Sequence, residues 1–527
     1  MGFFSPSHQS QTRRWLLVIV LIALALRVGL LVFIQHPGVA DPNHYFNVAR
    51  RLVEGEGFTF DYVWMYSDPP ESIVHPEDHW MPLTSAVAAV PMALFGVGVH
   101  TALIPFILLG SLLPVIGYLA ARQLGVSFTS SLFTAAAVGL LPEFVLNSLR
   151  TDTTVPNAVL VCGSVLLLTE GFSRRRLWML VASGVLAGLS YLTRNDGLLL
   201  VPMVAVVLVI YAFVQKKTLY WAGGVAFIAA AAIVVAPWIM RNIQVLGIPT
   251  TAEARHMFFF TSVLDHYAYD RDFTLETMLA NQSAAEIIGK RAFELAAAAK
   301  LAYTTLDVFL PVAVVGGGLL FFRREKRERW LVLAPALVLL IGFVIAYPIL
   351  IPYKSQAGSF KKAYLTLIPL IVPLAGYAFD HAGMNRGIRN GAMLLALVFL
   401  AANAVELVRA DARWTVAHMT NIERVVEVAR SLPDTNEDGA IILMAQDPFM
   451  LKFFDMRSVM IPHEDRETVL MVAEKYGVDY LLMPPDRPAL DPIYVGDEND
   501  PRFRLAARVP GTDFALYALE SDIRAIR

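Results

Sequence analysis

Apolar runs of roughly 20 residues recur along this chain with Lys and Arg clusters between them, a pattern that fits a bundle of membrane-spanning helices. Hydrophobic residues make up 56% of the chain and charged residues only 17%, with a mean hydropathy of +0.55, far from a soluble average. The first run, Trp15 to Ile34, follows Arg13-Arg14 and has no small-residue cleavage site behind it. It reads as a retained span, not a removed signal peptide. A net charge of −2 argues against a nucleic-acid partner. The single cysteine, Cys162, falls inside a predicted span, so neither a disulfide framework nor a Cys-based metal site is expected.

Charge placement orients the spans. Basic residues interrupt the apolar runs at Arg122, Arg174-Arg175-Arg176, Lys216-Lys217, Arg323 to Arg329 and Arg386/Arg389. Placing all of them in the cytoplasm satisfies the positive-inside rule. About eleven spans follow, near 15–34, 101–121, 128–147, 153–172, 177–193, 197–214, 219–238, 306–322, 330–347, 364–379 and 391–408. The apolar run Thr84–Phe95 is too short for a span and reads as interfacial or re-entrant. Three regions then lie outside: loops 35–80 and 239–305, and everything after about residue 409. From 409 to 527 there are 14 Lys and Arg against 21 Asp and Glu, a balance of −7. Short β-type runs at 441–444, 478–483 and 514–517 alternate there with a helical stretch near 465–476. That region reads as a small extracytoplasmic α/β domain, without a Gly-rich phosphate loop.

The unusual polar residues converge on that outer face. Asp41 heads the loop after the first span. Tyr45, Val48, Ala49, Leu52 and Val53 then form one apolar stripe at helical spacing, and Gly55 stands where a helix would stop. Arg150 and Asp152 join the third and fourth spans, and Arg194 and Asp196 the fifth and sixth. Arg241 follows the seventh, and Lys354, Lys361 and Lys362 precede the tenth. A positive-inside protein normally keeps cations off this face, so their concentration there calls for an anion, such as a lipid phosphate at the interface.

Each residue also has an ordinary reading. Asp41 before Pro42 suits a helix N-cap, and Asp152 could cap the fourth span. Asn195-Asp196-Gly197 makes a good turn. Arg241, three residues after Trp238, suits an interfacial anchor. Their clustering on one face is what the ordinary readings leave unexplained. His75, Glu77, Asp78 and His79 are all metal-capable, but their spacing fits no zinc motif. A polar loop shaping the acceptor entrance, with His44, Tyr45, His79 and Trp80, is the preferred reading.

Taken in order, several motifs resemble the GT-C glycosyltransferases. They are Asp41 with Tyr45 and Ala49-Arg50, then Trp80-Met81-Pro82-Leu83, Thr193-Arg194, Pro237 to Asn242, and Lys362-Ala363-Tyr364 before Pro369. The nearest group is the protein O-mannosyltransferase and aminoarabinose-transferase superfamily, which uses polyprenyl-phosphate sugars. The resemblance covers most of residues 15–410. It implies an all-α polytopic fold whose catalytic carboxylate in the first loop is Asp41, with Asp152 at the second acidic position. Arg241 lies in the Trp-x-x-Arg-Asn motif, and Lys362 replaces the commoner Arg. Pro42 stands where many members carry a second acidic residue, which weakens any metal-binding version of the site; no required metal or other cofactor is expected.

The expected chemistry is transfer of a sugar from a polyprenyl-phosphate donor to an acceptor hydroxyl, with inversion, at the outer face of the plasma membrane. Asp41 and Asp152 are the expected catalytic pair, and Arg241, Lys361, Lys362 and Arg194 the phosphate ligands. The competing class is a transporter or lipid flippase. Such proteins place ionisable residues near the bilayer midplane and show repeated halves, whereas here the polar residues gather at one end of the spans.

Overall fold

The computed structural model describes residues 6–66, 68–215, 220–269, 271–306, 309–322, 330–353, 359–435 and 439–520. Lys216, Lys217, residues 323–329 and Lys354 lie outside the described residues. Among the described residues, eight helices are long and apolar enough to cross a bilayer, and four shorter apolar helices accompany them.

The chain opens with α1 (Pro6–Leu30), then α2 (Asp41–Glu54), α3 (Leu83–Phe95) and α4 (Val99–Gln123). At the head of α4, His100 shares a hydrogen bond (2.8 Å) with the Ile34 carbonyl just beyond α1. The end of the short apolar α3 therefore lies close to the end of α1, since α4 begins only four residues after α3. The stretch expected as one span over 128–147 is two helices, α5 (Phe128–Leu140) and α6 (Pro142–Asn147). Pro142 disfavours helical backbone at the residue before it, and Leu141 is extended with ψ 124°. Arg27, wholly buried in α1, donates to the Gly139 carbonyl (3.0 Å) and to Ser148 (3.0 Å), satisfying the broken end.

Next come α7 (Thr154–Arg174), α8 (Leu177–Thr193), α9 (Leu200–Gln215) and α10 (Trp221–Leu246). Two short helices, α11 (Ala252–His256) and α12 (Leu275–Asn281), precede α13 (Ala284–Leu306). Region 239–305, expected as a loop, is thus largely helical: α13 packs on α15 (Trp330–Leu350) and α16 (Ser359–His381), and α14 (Phe309–Phe322) lies along α16. Gly316 permits that approach, because a Cβ there would meet the Leu374 carbonyl at 1.9 Å.

The last apolar run belongs to one continuous 45-residue helix, α17 (Arg386–Arg430). At 1.5 Å per residue it extends about 65 Å, roughly twice the ~30 Å hydrocarbon core of a bilayer. Its second half, from Met419 to Ala429, enters the core of the C-terminal domain.

That core is built on a seven-stranded sheet in the order β2-β1-β4-β3-β5-β7-β6. β3 (Ile442–Ala445), β4 (Arg457–Met460), β5 (Tyr480–Met483), β6 (Phe503–Arg508) and β7 (Ala515–Leu519) come from the C-terminal region, with α18 (Pro448–Phe453), α19 (Arg466–Lys475) and α20 (Asp491–Val495) between them. The other two strands come from the first loop: β1 (Thr59–Val63) and β2 (Val74–Pro76). β1 pairs parallel to β4, Tyr62 opposite Ser458 and Val63 opposite Val459. The first loop and the C-terminal domain therefore share one sheet and one side of the helical bundle.

Candidate active site

The site forms where the head of α2, the α6–α7 turn and the first turn of α16 meet. α2 enters through strained backbone. Ala40 precedes it with φ 59° and ψ −125°, a region L residues rarely adopt and one that concentrates at functional sites. Thr151 fixes this entry, its N–H donating to the Pro37 carbonyl (3.3 Å) and its hydroxyl to that of Pro42. Ala40 is the N-cap and makes no side-chain cap bond, so Asp41 is the first helical residue and not the cap expected for it. α2 is also covered by protein: Pro42 to Ala49 are all buried. Val48 packs in the sheet-domain core, and Phe46 and Ala49 pack against α3. The Gly55 stop holds, with φ 87° at the C-cap.

Asp41 is thereby free to face α16. The Lys362 ammonium donates to Asp41 Oδ2 at 3.0 Å and to Asp152 Oδ2 at 2.6 Å. The two carboxylates differ in access: the Asp41 side chain is 31% exposed, that of Asp152 only 2%. Asp152 Oδ1 also accepts from the Thr154 N–H (2.8 Å) and hydroxyl (2.5 Å), so it supports the start of α7 while holding Lys362. Burial works against the charge on Asp152, but Lys362 and Thr154 outweigh it and bring its pKa down to about 2.

Arg194 sits beside this pair. It donates to Asp196 (2.9 Å) and to the Thr153 hydroxyl (3.3 Å), and its charge reaches both Lys362 and Tyr45. Burial first, then Asp41 and Asp152, push the buried Tyr45 phenol well above its ordinary value, which keeps it protonated. Lys361 points elsewhere, to Glu143 of α6 at 2.5 Å, and remains 42% exposed.

The remaining candidates organise the first loop. Arg241 donates to the carbonyls of Glu77 (2.6 Å) and Phe58 (3.1 Å) and lies over the Trp238 ring at 4.7 Å. His44 is fully buried between the Tyr62 hydroxyl (2.5 Å) and Glu77 Oε2 (2.8 Å). The other Glu77 oxygen accepts from the backbone N–H groups of His79 (3.1 Å) and Trp80 (2.8 Å). Burial opposes the charge on Glu77, yet His44 and the Trp80 N–H hold its pKa below the usual range. The His79 ring meets Asp78 at 3.2 Å, and the Trp80 ring lies against His44, Tyr45 and Trp64. His75 shares a hydrogen bond with the Ile73 carbonyl (2.9 Å). Among the described residues, no three His, Cys, Asp or Glu side chains converge as a metal-ligand set.

Asp41, Asp152, Lys362 and Arg194 thus come together with Tyr45 beside them, whereas Lys361 and Arg241, expected with Lys362 and Arg194 as phosphate ligands, are engaged elsewhere. Arg241, His44, His79 and Trp80 form an adjoining network within the loop. Sequence reasoning missed Glu143, Thr151 and Thr154. Only Thr154 carries a readable signal, since Asp-x-Thr before a helix is a familiar side-chain-to-backbone turn.

Residues 74–240 match the family described as dolichyl-phosphate-mannose-protein mannosyltransferase. No curated protein sequence matches the chain. Among solved structures, ArnT from Cupriavidus metallidurans in its apo state superposes with a TM-score of 0.59 at 15% identity, over 96% of this chain and 98% of that one. The same protein bound to undecaprenyl phosphate gives 0.57 at 16%, over 97% and 98%. The Archaeoglobus fulgidus oligosaccharyltransferase, in complex with zinc and sulfate, gives 0.57 at 15%, over 89% of this chain and 67% of that one. At such identities the likeness to these structures is one of fold. The family match is confined to residues 74–240, and over nearly the whole chain the shared feature is the fold of these membrane proteins.

Proposed function

We propose that this protein transfers a sugar from a polyprenyl-phosphate donor to an acceptor hydroxyl at the extracytoplasmic face of the plasma membrane, inverting the anomeric carbon. The observation that carries the reading is the Lys362 ammonium held between Asp41 and Asp152 at the head of a strained helix. Asp41, the accessible carboxylate, takes the proton of the acceptor hydroxyl as its oxygen bonds to the anomeric carbon. The bond from that carbon to the phosphate oxygen breaks on the opposite face. Lys362, oriented by Asp152, holds Asp41 in place and offers positive charge to the leaving phosphate. Arg194 adds to that charge, and Lys361 can exchange Glu143 for a phosphate oxygen at the rim. Arg241 supports the loop that borders the acceptor side. The binding of undecaprenyl phosphate by a protein of the same fold supports the donor class.

The test is transfer from radiolabelled polyprenyl-phosphate mannose, glucose or aminoarabinose in membranes expressing wild type or Asp41→Asn. Loss of transfer by ~10²–10⁴, the usual worth of a positioned base, with unchanged protein levels is the expected result. Near-normal turnover by that variant removes Asp41 from the mechanism.

A further inference from the structure

A second site lies in the C-terminal domain, beyond the carboxylate pair. In the sheet order β4-β3-β5, the chain leaves β3 toward β4 and leaves β5 toward β7. Connections that diverge from adjacent parallel strands open a crevice at their C-terminal ends, where α/β sheets bind ligands. A cavity of about 440 Å³ occupies that place, bounded by the residues following β3 and β5 and closed on one side by His418 and Ile422 of α17. This volume lies within the range of small-molecule sites.

The wall chemistry is mixed. Phe514, Leu482 and Ile422 give an apolar surface, and Gln446, Asp447 and Asp486 give polar groups. The Asp447 carboxylate has no hydrogen-bond or ion-pair partner among the described residues. Burial raises its pKa, with only the charges of His418 and Arg487 acting the other way. The Arg487 guanidinium is itself engaged with the Ile461 carbonyl (3.0 Å) and lies over the Tyr267 ring. Asp447 is half-buried at the crevice wall, so its carboxylate is open to a donor from a ligand.

We infer that this crevice binds a neutral or cationic sugar ring, whose hydroxyl or ammonium groups donate to Asp447 and Asp486 while its C–H face lies on Phe514. A compact ring suits a crevice of this volume better than an extended peptide, which would need a long groove or an open sheet edge. The negative lining disfavours anionic sugars. The site is independent of the transfer reaction, although Tyr267 lies within electrostatic reach of both Asp447 and Asp41.

Saturation-transfer NMR on the detergent-solubilised full chain tests this, with glucose, glucosamine and glucuronate as probes. Saturable binding of glucose and glucosamine is expected, with dissociation constants on the order of 1 mM, and none of glucuronate. Asp447→Asn and Phe514→Ala, each with an unchanged melting temperature, should weaken binding about tenfold or more. Asp41→Asn should bind as wild type does, which separates this site from failure of the transferase reading. Absence of sugar binding, equal binding of glucuronate, or binding unaltered in both pocket variants overturns the inference. Tighter binding of trilysine than of either sugar also overturns it, in favour of a basic peptide.

Discussion

Lys362 lies 2.6 Å from Asp152 and 3.0 Å from Asp41, and Asp152 is almost wholly buried while Asp41 faces open space. The ammonium sits between the two carboxylates and hydrogen-bonds to both. Lys362→Met should therefore abolish most transfer, by ~10² or more, since a charge aimed at the leaving group is worth several kcal/mol. Lys362→Arg should retain part of it, because a guanidinium also reaches both carboxylates. Chelation of divalent ions should leave wild-type transfer unchanged within about twofold. Initial rates in membranes with and without EDTA check all three.

The depressed pKa of Asp152 fixes a pH dependence of stability. A carboxylate at about 2 in the folded protein, against an ordinary value near 3.9, is stabilising above the unfolded value. That contribution disappears as pH falls from about 4 toward about 2. It is on the order of 2 kcal/mol at neutral pH. Asp152→Asn should accordingly melt below wild type at pH 7, with the gap narrowing below about pH 4 and closing near pH 2. Thermal unfolding in detergent across that range reads it, and a gap constant with pH contradicts the ion pair.

The buried His44 bridges α2 to the first loop through Tyr62 and Glu77. His44→Phe would leave the Tyr62 hydroxyl and the Glu77 Oε2 atom without the contact His44 supplies, at about 1–3 kcal/mol for each unsatisfied group. We expect a lower melting temperature and faster proteolysis within residues 55–80. His44→Gln, which can still reach Glu77, should recover part of the loss. Because Glu77 is held below its ordinary pKa, the benefit of the contact lessens as pH drops through the carboxylate range.

Much of this architecture is legible in the sequence because bilayer physics acts on single segments. Apolar length and flanking charge mark most of the spans, and Gly55 marks the end of α2. The convergence of Asp41, Asp152 and Lys362 follows from placing each at the same end of its span. Relations between distant segments are not written that way. β1 carries no sign that it will pair with β4 nearly 400 residues later. The apolar stripe of α2 announces one packed face, but its second partner, the C-terminal domain, is invisible to local periodicity. Within α17 the apolar run stops at about the bilayer limit, while the helix continues into the sheet domain. For Arg241, the motif gives a position but not the carbonyls of Glu77 and Phe58 that it holds.

That long-range pairing makes the C-terminal domain part of the active-site scaffold. α2 is tied to α18 by Asn47, which donates to the Phe449 carbonyl (3.0 Å). Asp61 of β1 joins Lys452 of α18 at 2.6 Å and Arg51 of α2 at 3.4 Å. All three residues of that ion cluster are largely buried, so removing one charge leaves the others poorly compensated, at about 3–5 kcal/mol for a buried pair. Lys452→Met should therefore destabilise the protein and reduce transfer, although it touches none of the residues assigned to chemistry. Asp61→Asn combined with Lys452→Met should be less harmful than the single Lys452 change, because both members of the pair are neutralised together. A double-mutant cycle on melting temperature and transfer rate measures the coupling; additive effects at the two positions would mean that the domain does not position α2 through this cluster.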